Sequence, residues 1–123
     1  AFEAVAQPPL TPPMWVFPVV WSILFVLMGI ASYLVVMQKG EDTKALTLYA
    51  VQLIFNFFWS VWFFNLGWYL FAFLWLVVLW LLILATLRAF AKISRPAAWL
   101  MLPYLLWVTF AGYLNSGAWW LNR

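Results

Sequence analysis

WVFPVVWSILFVLMGIASYLVVM, residues 15–37, carries no charge over its whole length. A run that long crosses the hydrocarbon core of a bilayer, which takes about 20 helical residues at about 1.5 Å of rise each. Three more runs of the same character follow at residues 45–64, 68–90 and 96–118, the second of these free of charge until Arg88. The sequence therefore predicts an all-α integral membrane protein, a bundle of four transmembrane helices forming one domain over residues 1–123.

The stretches between the runs fix where each helix stops. PPLTPP, residues 8–13, stands before the first run, and its prolines cannot continue a helix backwards, so residues 1–13 read as a proline-rich loop. QKGEDTK, residues 38–44, gathers four charges around a glycine, and the chain leaves the membrane there. Asn65-Leu66-Gly67 reads as a tight turn and Lys92-Ile93-Ser94-Arg95 as a short polar link. Pro96 suits the first turn of the fourth helix, whereas Pro103 inside it is expected to free the carbonyl of Trp99 and kink the helix.

Composition excludes several classes of function. The chain is 69% hydrophobic, 23% aromatic and only 7% charged, against roughly 25% charged residues in an ordinary soluble domain. Cys and His are both absent, which removes thiol catalysis, disulfides, His-ligated metals and imidazole acid/base chemistry. No resident metal or cofactor is expected. The net charge of +3 rests on six scattered basic residues, too dispersed for a nucleic-acid footprint. Residues 1–11 have neither the charged nor the apolar segment of a signal peptide, and the expectation is that the sequence begins inside a loop, as a fragment.

Basic residues mark the cytoplasmic loops of membrane proteins. Lys39 and Lys44 flank the first connection, and Arg88, Lys92 and Arg95 surround the third. The expected location is a bacterial cell membrane, with these two connections cytoplasmic and the proline arm, the second turn and the C-terminus outside.

With that orientation, seven of the eleven tryptophans fall toward the outer side: Trp15, Trp21, Trp59, Trp62, Trp68, Trp119 and Trp120. An interfacial aromatic belt is two-sided, and this distribution is not. Trp21 and Trp59 also lie deeper than a belt requires, about 9 Å and about 7 Å from their helix ends, and Trp107 is deeper still. The alternatives are an aromatic ligand cavity opening on that side, or a belt combined with packing.

Gln52, Asn56 and Trp59 are spaced i, i+4 and i+7 and share one face of the second helix. Amides inside a membrane find hydrogen-bond partners, so this face either joins a neighbouring helix or offers Asn56 to a bound molecule. Gly112 and Ser116 form a small-xxx-small pair that allows close helix approach or dimerisation. Ala111 lies one turn beyond Trp107, where a larger side chain would intrude beside the indole.

Three ordered motifs, PPLTPPMWVFPVVWSILFVLMGIASYLV (residues 8–35), QLIFNFFWSVWFF (52–64) and PYLLWVTFAGYLNSGAWWLN (103–122), together resemble the TspO family, the tryptophan-rich sensory protein and translocator protein group. The resemblance implies a five-helix membrane bundle, often a homodimer, that binds porphyrins such as protoporphyrin IX and in some members cholesterol or synthetic benzodiazepine-type ligands. It places the pocket beneath a long loop that corresponds to residues 1–13. Matched position by position, the family's ligand-binding residues fall on Pro12, Trp21, Gln52, Asn56, Trp59, Trp107 and Ala111. The family's first helix would precede Ala1, so this sequence carries four of the five. Ser116 and Trp120 stand where animal members have a tyrosine and an arginine of a proposed sterol motif, and cholesterol is not the expected ligand.

The resulting expectation is a membrane sensor that binds a porphyrin or another flat apolar molecule, with its carboxylates near Arg123, and that contacts lipid and assembles as a homodimer. Two other readings stay open. One is light- or oxygen-dependent porphyrin breakdown, for which the sequence offers no general acid, base or metal ligand. The other is transport of porphyrin or lipid, for which Pro103 is the one broken-helix element near the midplane.

Overall fold

The computed structural model describes residues 9–39 and 43–122. The expectations for residues 1–8, for the charged stretch 40–42 and for Arg123 lie outside these residues. Four helices make up the fold: α1 (Val16–Lys39), α2 (Thr43–Ser60), α3 (Tyr69–Ala91) and α4 (Arg95–Asn122). All four are long and apolar enough to cross a membrane, as the uncharged runs predict.

The start of α1 follows from its prolines. Pro12 and Pro13 cannot be helical interior residues, and the amides of Val16 and Phe17 close the first turn onto Pro13 O and Met14 O at 3.0 and 3.3 Å. Pro18 is tolerated because amides in the first turn of a helix have no intrahelical partner to lose. Phe17, Leu24, Met28, Ala31 and Val35 then form a buried stripe, while Ile23, Val26, Ile30 and Tyr33 are exposed. Both faces are apolar because lipid, not water, is the solvent of the outer one.

The backbones pack chiefly α1 on α4, α4 on α3 and α3 on α2, and side chains of α1 and α2 meet to close the bundle, as Trp21 does with Trp59 and Gln52 with Met28. The most extensive packing is between α3 and α4, where a β-carbon placed on Gly112 would stand 3.0 Å from Leu76 Cδ2. The small residue expected to permit close helix approach thus serves contact within one chain. Trp80 Nε1 adds a 2.9 Å hydrogen bond to Thr109 Oγ1 across the same pair.

A π-helical turn, Val61–Asn65, extends α2. Leu66 N donates to Val61 O at 3.1 Å, five residues back, and the wider turn directs Phe63 into the core while Trp62 faces Trp68. Gly67 reverses the chain at φ +66°, a left-handed conformation that a β-carbon disfavours. At the other end of the bundle, the amides of Ile93 and Ser94 both donate to Phe90 O, at 3.0 and 2.7 Å. Ser94 Oγ in turn accepts from Ala97 N and caps α4.

One boundary differs from the sequence expectation. The fourth helix was expected to end near residue 118 with Trp119 and Trp120 beyond it, yet α4 includes both and runs to Asn122. In an apolar environment every backbone group needs a partner, so the helix continues until a side chain can take over, here Asn122 Nδ2 donating to Ala118 O at 2.9 Å. α4 is also continuous through Pro103.

Candidate functional site

Three helices converge on a cluster of aromatic rings and amides. α1 contributes Phe17 and Trp21, which are four residues apart and so lie on one face. α2 contributes Gln52, Asn56 and Trp59, with Phe64 from the π-helical turn. α4 contributes Tyr104 and Trp107, again on one face, with Asn115 two turns further along.

The polar groups are fully organised. Tyr104 Oη donates to Gln52 Oε1 at 2.6 Å and accepts from Asn56 Nδ2 at 2.7 Å. Gln52 Nε2 reaches Met28 Sδ on α1 at 3.9 Å, a weak contact. Trp59 Nε1 donates to Asn115 Oδ1 at 3.0 Å, and Asn115 Nδ2 donates onward to Tyr69 O at 2.7 Å. Each of these amides is buried, and each would be costly in an apolar interior if left unpaired. The i, i+4, i+7 face of α2 is therefore first of all the joint between α2 and α4.

Rings surround Trp21: Tyr104 and Trp107 edge to face, Trp59 tilted and Phe25 stacked at 5.8 Å. The Trp21 centroid is 6.1 Å from Tyr104, 6.4 Å from Trp107 and 6.5 Å from Trp59. Phe17 meets Trp107 at 5.9 Å and Phe64 at 5.7 Å. These separations lie in the 4.5–7 Å range favoured by aromatic pairs.

On the α1–α2 side of this cluster lies an open cavity of about 310 Å³, walled by Trp21, Phe25, Leu53, Asn56, Phe57 and Ser60. Of the seven residues singled out from the sequence, Trp21 and Asn56 border it. Trp59 and Trp107 stand behind Trp21 in contact with its ring. Gln52 is wholly enclosed and turned to Tyr104, Ala111 is buried on α4, and Pro12 is half-buried ahead of α1; none of these three borders the cavity.

Two buried indole nitrogens, Trp62 Nε1 and Trp107 Nε1, have no hydrogen-bond partner among the described residues. That of Trp107 belongs to the aromatic cluster. The cluster offers indoles, amides and a phenol, groups that engage a neighbour by ring contact and hydrogen bonding.

Sequence reasoning passed over Tyr104 and Asn115, the two side chains that hold the polar network together. A signal was present: Tyr104 precedes Trp107 by three residues, and Asn115 follows Ala111 by four, so both fall on the face already marked by those residues.

A bundle of apolar helices with a recess opening between α1 and α2 beside Trp21 defines an integral membrane protein. The chain belongs to the TspO/MBR family, whose sequence model matches residues 1–121. It is 42% identical over 117 residues to the tryptophan-rich protein TspO of Chlorobaculum tepidum, an alignment covering 93% of this chain and 74% of that protein. It is 38% identical to the tryptophan-rich sensory protein of Cereibacter sphaeroides over 98% of this chain and 76% of the relative. Against the translocator protein of Ovis aries the identity is 36%, covering 99% of this chain and 75% of the relative.

Proposed function

We propose that the protein is a membrane sensor that binds a flat, largely apolar ligand of the porphyrin class in the recess between α1 and α2. The observation that carries the proposal is the position of Trp21, which lines an open cavity with Phe25 and Asn56 while its ring packs against Phe25, Trp59, Tyr104 and Trp107. Indole and phenyl rings braced in this way are preorganised for contact with a flat ring entering the cavity. At about 310 Å³ the recess is at the small end of ligand cavities, so a tetrapyrrole inserts part of its ring and lies along the open groove with the remainder. Asn56 supplies the polar group that orients it, and the unpaired N–H of Trp107 is a donor that a nearby acceptor would satisfy. The sensory and translocator names of the relatives are consistent with a ligand-responsive membrane protein.

In the same reading the α1–α2 and α3–α4 connections face the cytoplasm, lipid surrounds the exposed apolar faces, and the protein forms a homodimer through a surface other than Gly112, which is engaged with Leu76. No resident cofactor or catalytic group is assigned.

The test is quenching of tryptophan fluorescence in the detergent-solubilised protein titrated with protoporphyrin IX, beside a Trp21→Ala, Trp107→Ala double variant and an Asn56→Leu variant. Saturable quenching that weakens at least fivefold in the double variant supports the proposal, since loss of the Trp21 ring and of the Trp107 ring that braces it removes about 1–3 kcal/mol. Equal apparent affinity in all three proteins means partitioning into the micelle and overturns it.

A further inference from the structure

A groove lies away from the aromatic cluster, at the end of the bundle where α3 hands over to α4. It has a volume of about 460 Å³. Leu87, Ala91, Ala98 and Leu102 give it an apolar floor running along the two helices, and Lys92, Arg95 and Trp99 form its mouth. All three mouth residues are exposed, Trp99 to 70%.

The two cations are held on a rigid platform. Only Ile93 and Ser94 separate them, and both of those amides are tied to Phe90 O while Ser94 Oγ caps the first turn of α4. Arg88 lies one turn before Lys92 on α3, so this corner concentrates positive charge. The acidic residues of the sequence are Glu3, Glu41 and Asp42, and the described residues contain no carboxylate to neutralise it. An apolar channel set in the membrane, with two exposed cations and an indole at its mouth, matches the shape and charge of a single phospholipid: acyl chain below, phosphate at the interface.

We propose that this groove binds an anionic phospholipid, with its phosphate between Lys92 and Arg95, its glycerol region against Trp99 and an acyl chain over Leu87 and Leu102. Neutral lipid fills the same groove without the ionic contacts and exchanges freely. The site is independent of the recess beside Trp21.

The full chain, reconstituted in nanodiscs containing equal amounts of phosphatidylglycerol and phosphatidylcholine, is released into the gas phase and its retained lipids are counted by native mass spectrometry. The parent protein, a Lys92→Gln, Arg95→Gln double variant and a Lys44→Gln control at the same end of the bundle are compared. The proposal expects the parent to retain one phosphatidylglycerol in preference to phosphatidylcholine. It expects that preference to fall about thirty-fold in the double variant, since each basic residue near an anionic headgroup contributes about 1 kcal/mol, and to persist in the Lys44→Gln protein. A parent with no preference between the two lipids overturns the proposal. So does an equal loss in the double variant and the control, which would mean diffuse surface charge instead of a groove. Because all three side chains are exposed, folding is verified by unchanged thermal unfolding of the three proteins, and a preference retained by the folded double variant also refutes the site.

Discussion

The phenol of Tyr104 donates a 2.6 Å hydrogen bond to Gln52 Oε1 at a point where neither side chain has any exposure. It joins α4 to α2, helices that are separated by α3 in the packing order, and with Asn56 it makes a closed polar unit inside an apolar bundle. Replacing Tyr104 by Phe leaves a buried carbonyl and a buried amide N–H unpaired. The expected loss is about 1–2 kcal/mol, toward the upper part of what interhelical hydrogen bonds contribute in membranes. A thermal unfolding midpoint in detergent that falls for Tyr104→Phe, and recovers in part when Gln52→Leu is added, checks this; a Tyr104→Phe protein as stable as the parent refutes the role of the bond.

Asn115 ties the Trp59 indole to the first carbonyl of α3. Asn115→Leu keeps the volume and removes both bonds, stranding Trp59 Nε1, while Tyr69 O keeps its place in the helical ladder of α3. We expect a loss of about 1–2 kcal/mol together with a changed near-UV circular dichroism signal, because Trp59 stacks on Phe63 at 5.2 Å and reports on the order of the whole cluster. An unaltered near-UV spectrum would show that the ring is held by packing alone.

Gly112 faces Leu76 with room for no more than a β-carbon. Alanine there requires only a small shift of a flexible leucine methyl, whereas valine brings branches that cannot clear it, at a cost of about 1–3 kcal/mol. Gly112→Val should lower the unfolding midpoint and Leu76→Ala should restore part of it in combination. If the two changes are instead simply additive, the contact is not the source of the effect.

The absence of cysteine gives a clean background for mapping sidedness. Single cysteines placed at Lys92 and at Trp120, both exposed, should react with a membrane-impermeant maleimide from opposite faces of the membrane, the first from the cytoplasmic face. Reversed labelling would invert the proposed orientation, and labelling of both from one face would contradict the span of α4.

The helices themselves were readable from residues 15–37 and the three runs after it, because lipid demands long uncharged segments and water demands the polar breaks at residues 38–44, 65–67 and 92–95. The face of Gln52, Asn56 and Trp59 was readable for the same reason: an amide stands out in such a helix. Neighbour relations were not. Core-facing Leu24 and lipid-facing Ile23 are chemically alike, so amphipathicity, which orients helices in water, carries little information here. Tyr104 was inconspicuous because tyrosine is also an ordinary interfacial residue, and the π-helical turn left no sign in the run Val61-Trp62-Phe63-Phe64.

The attachment of α1 differs in kind from that of the other helices. Ser22 and Ser32 use their hydroxyls on carbonyls of their own helix, and the polar reach from Gln52 to Met28 is a weak N–H···S contact. The segment ahead of α1 is fastened to α4 by Tyr113 Oη donating to Pro9 O at 2.6 Å, and along its length α1 meets α4 through ring contacts such as those of Phe17 and Trp21 with Trp107, in a solvent that does not drive apolar surfaces together. A hinged panel beside a fixed frame has this asymmetry. The recess bordered by Trp21 is thus best placed to admit a greasy guest sideways, from within the bilayer leaflet, by a tilt of α1 that leaves the Tyr104 and Asn115 joints closed.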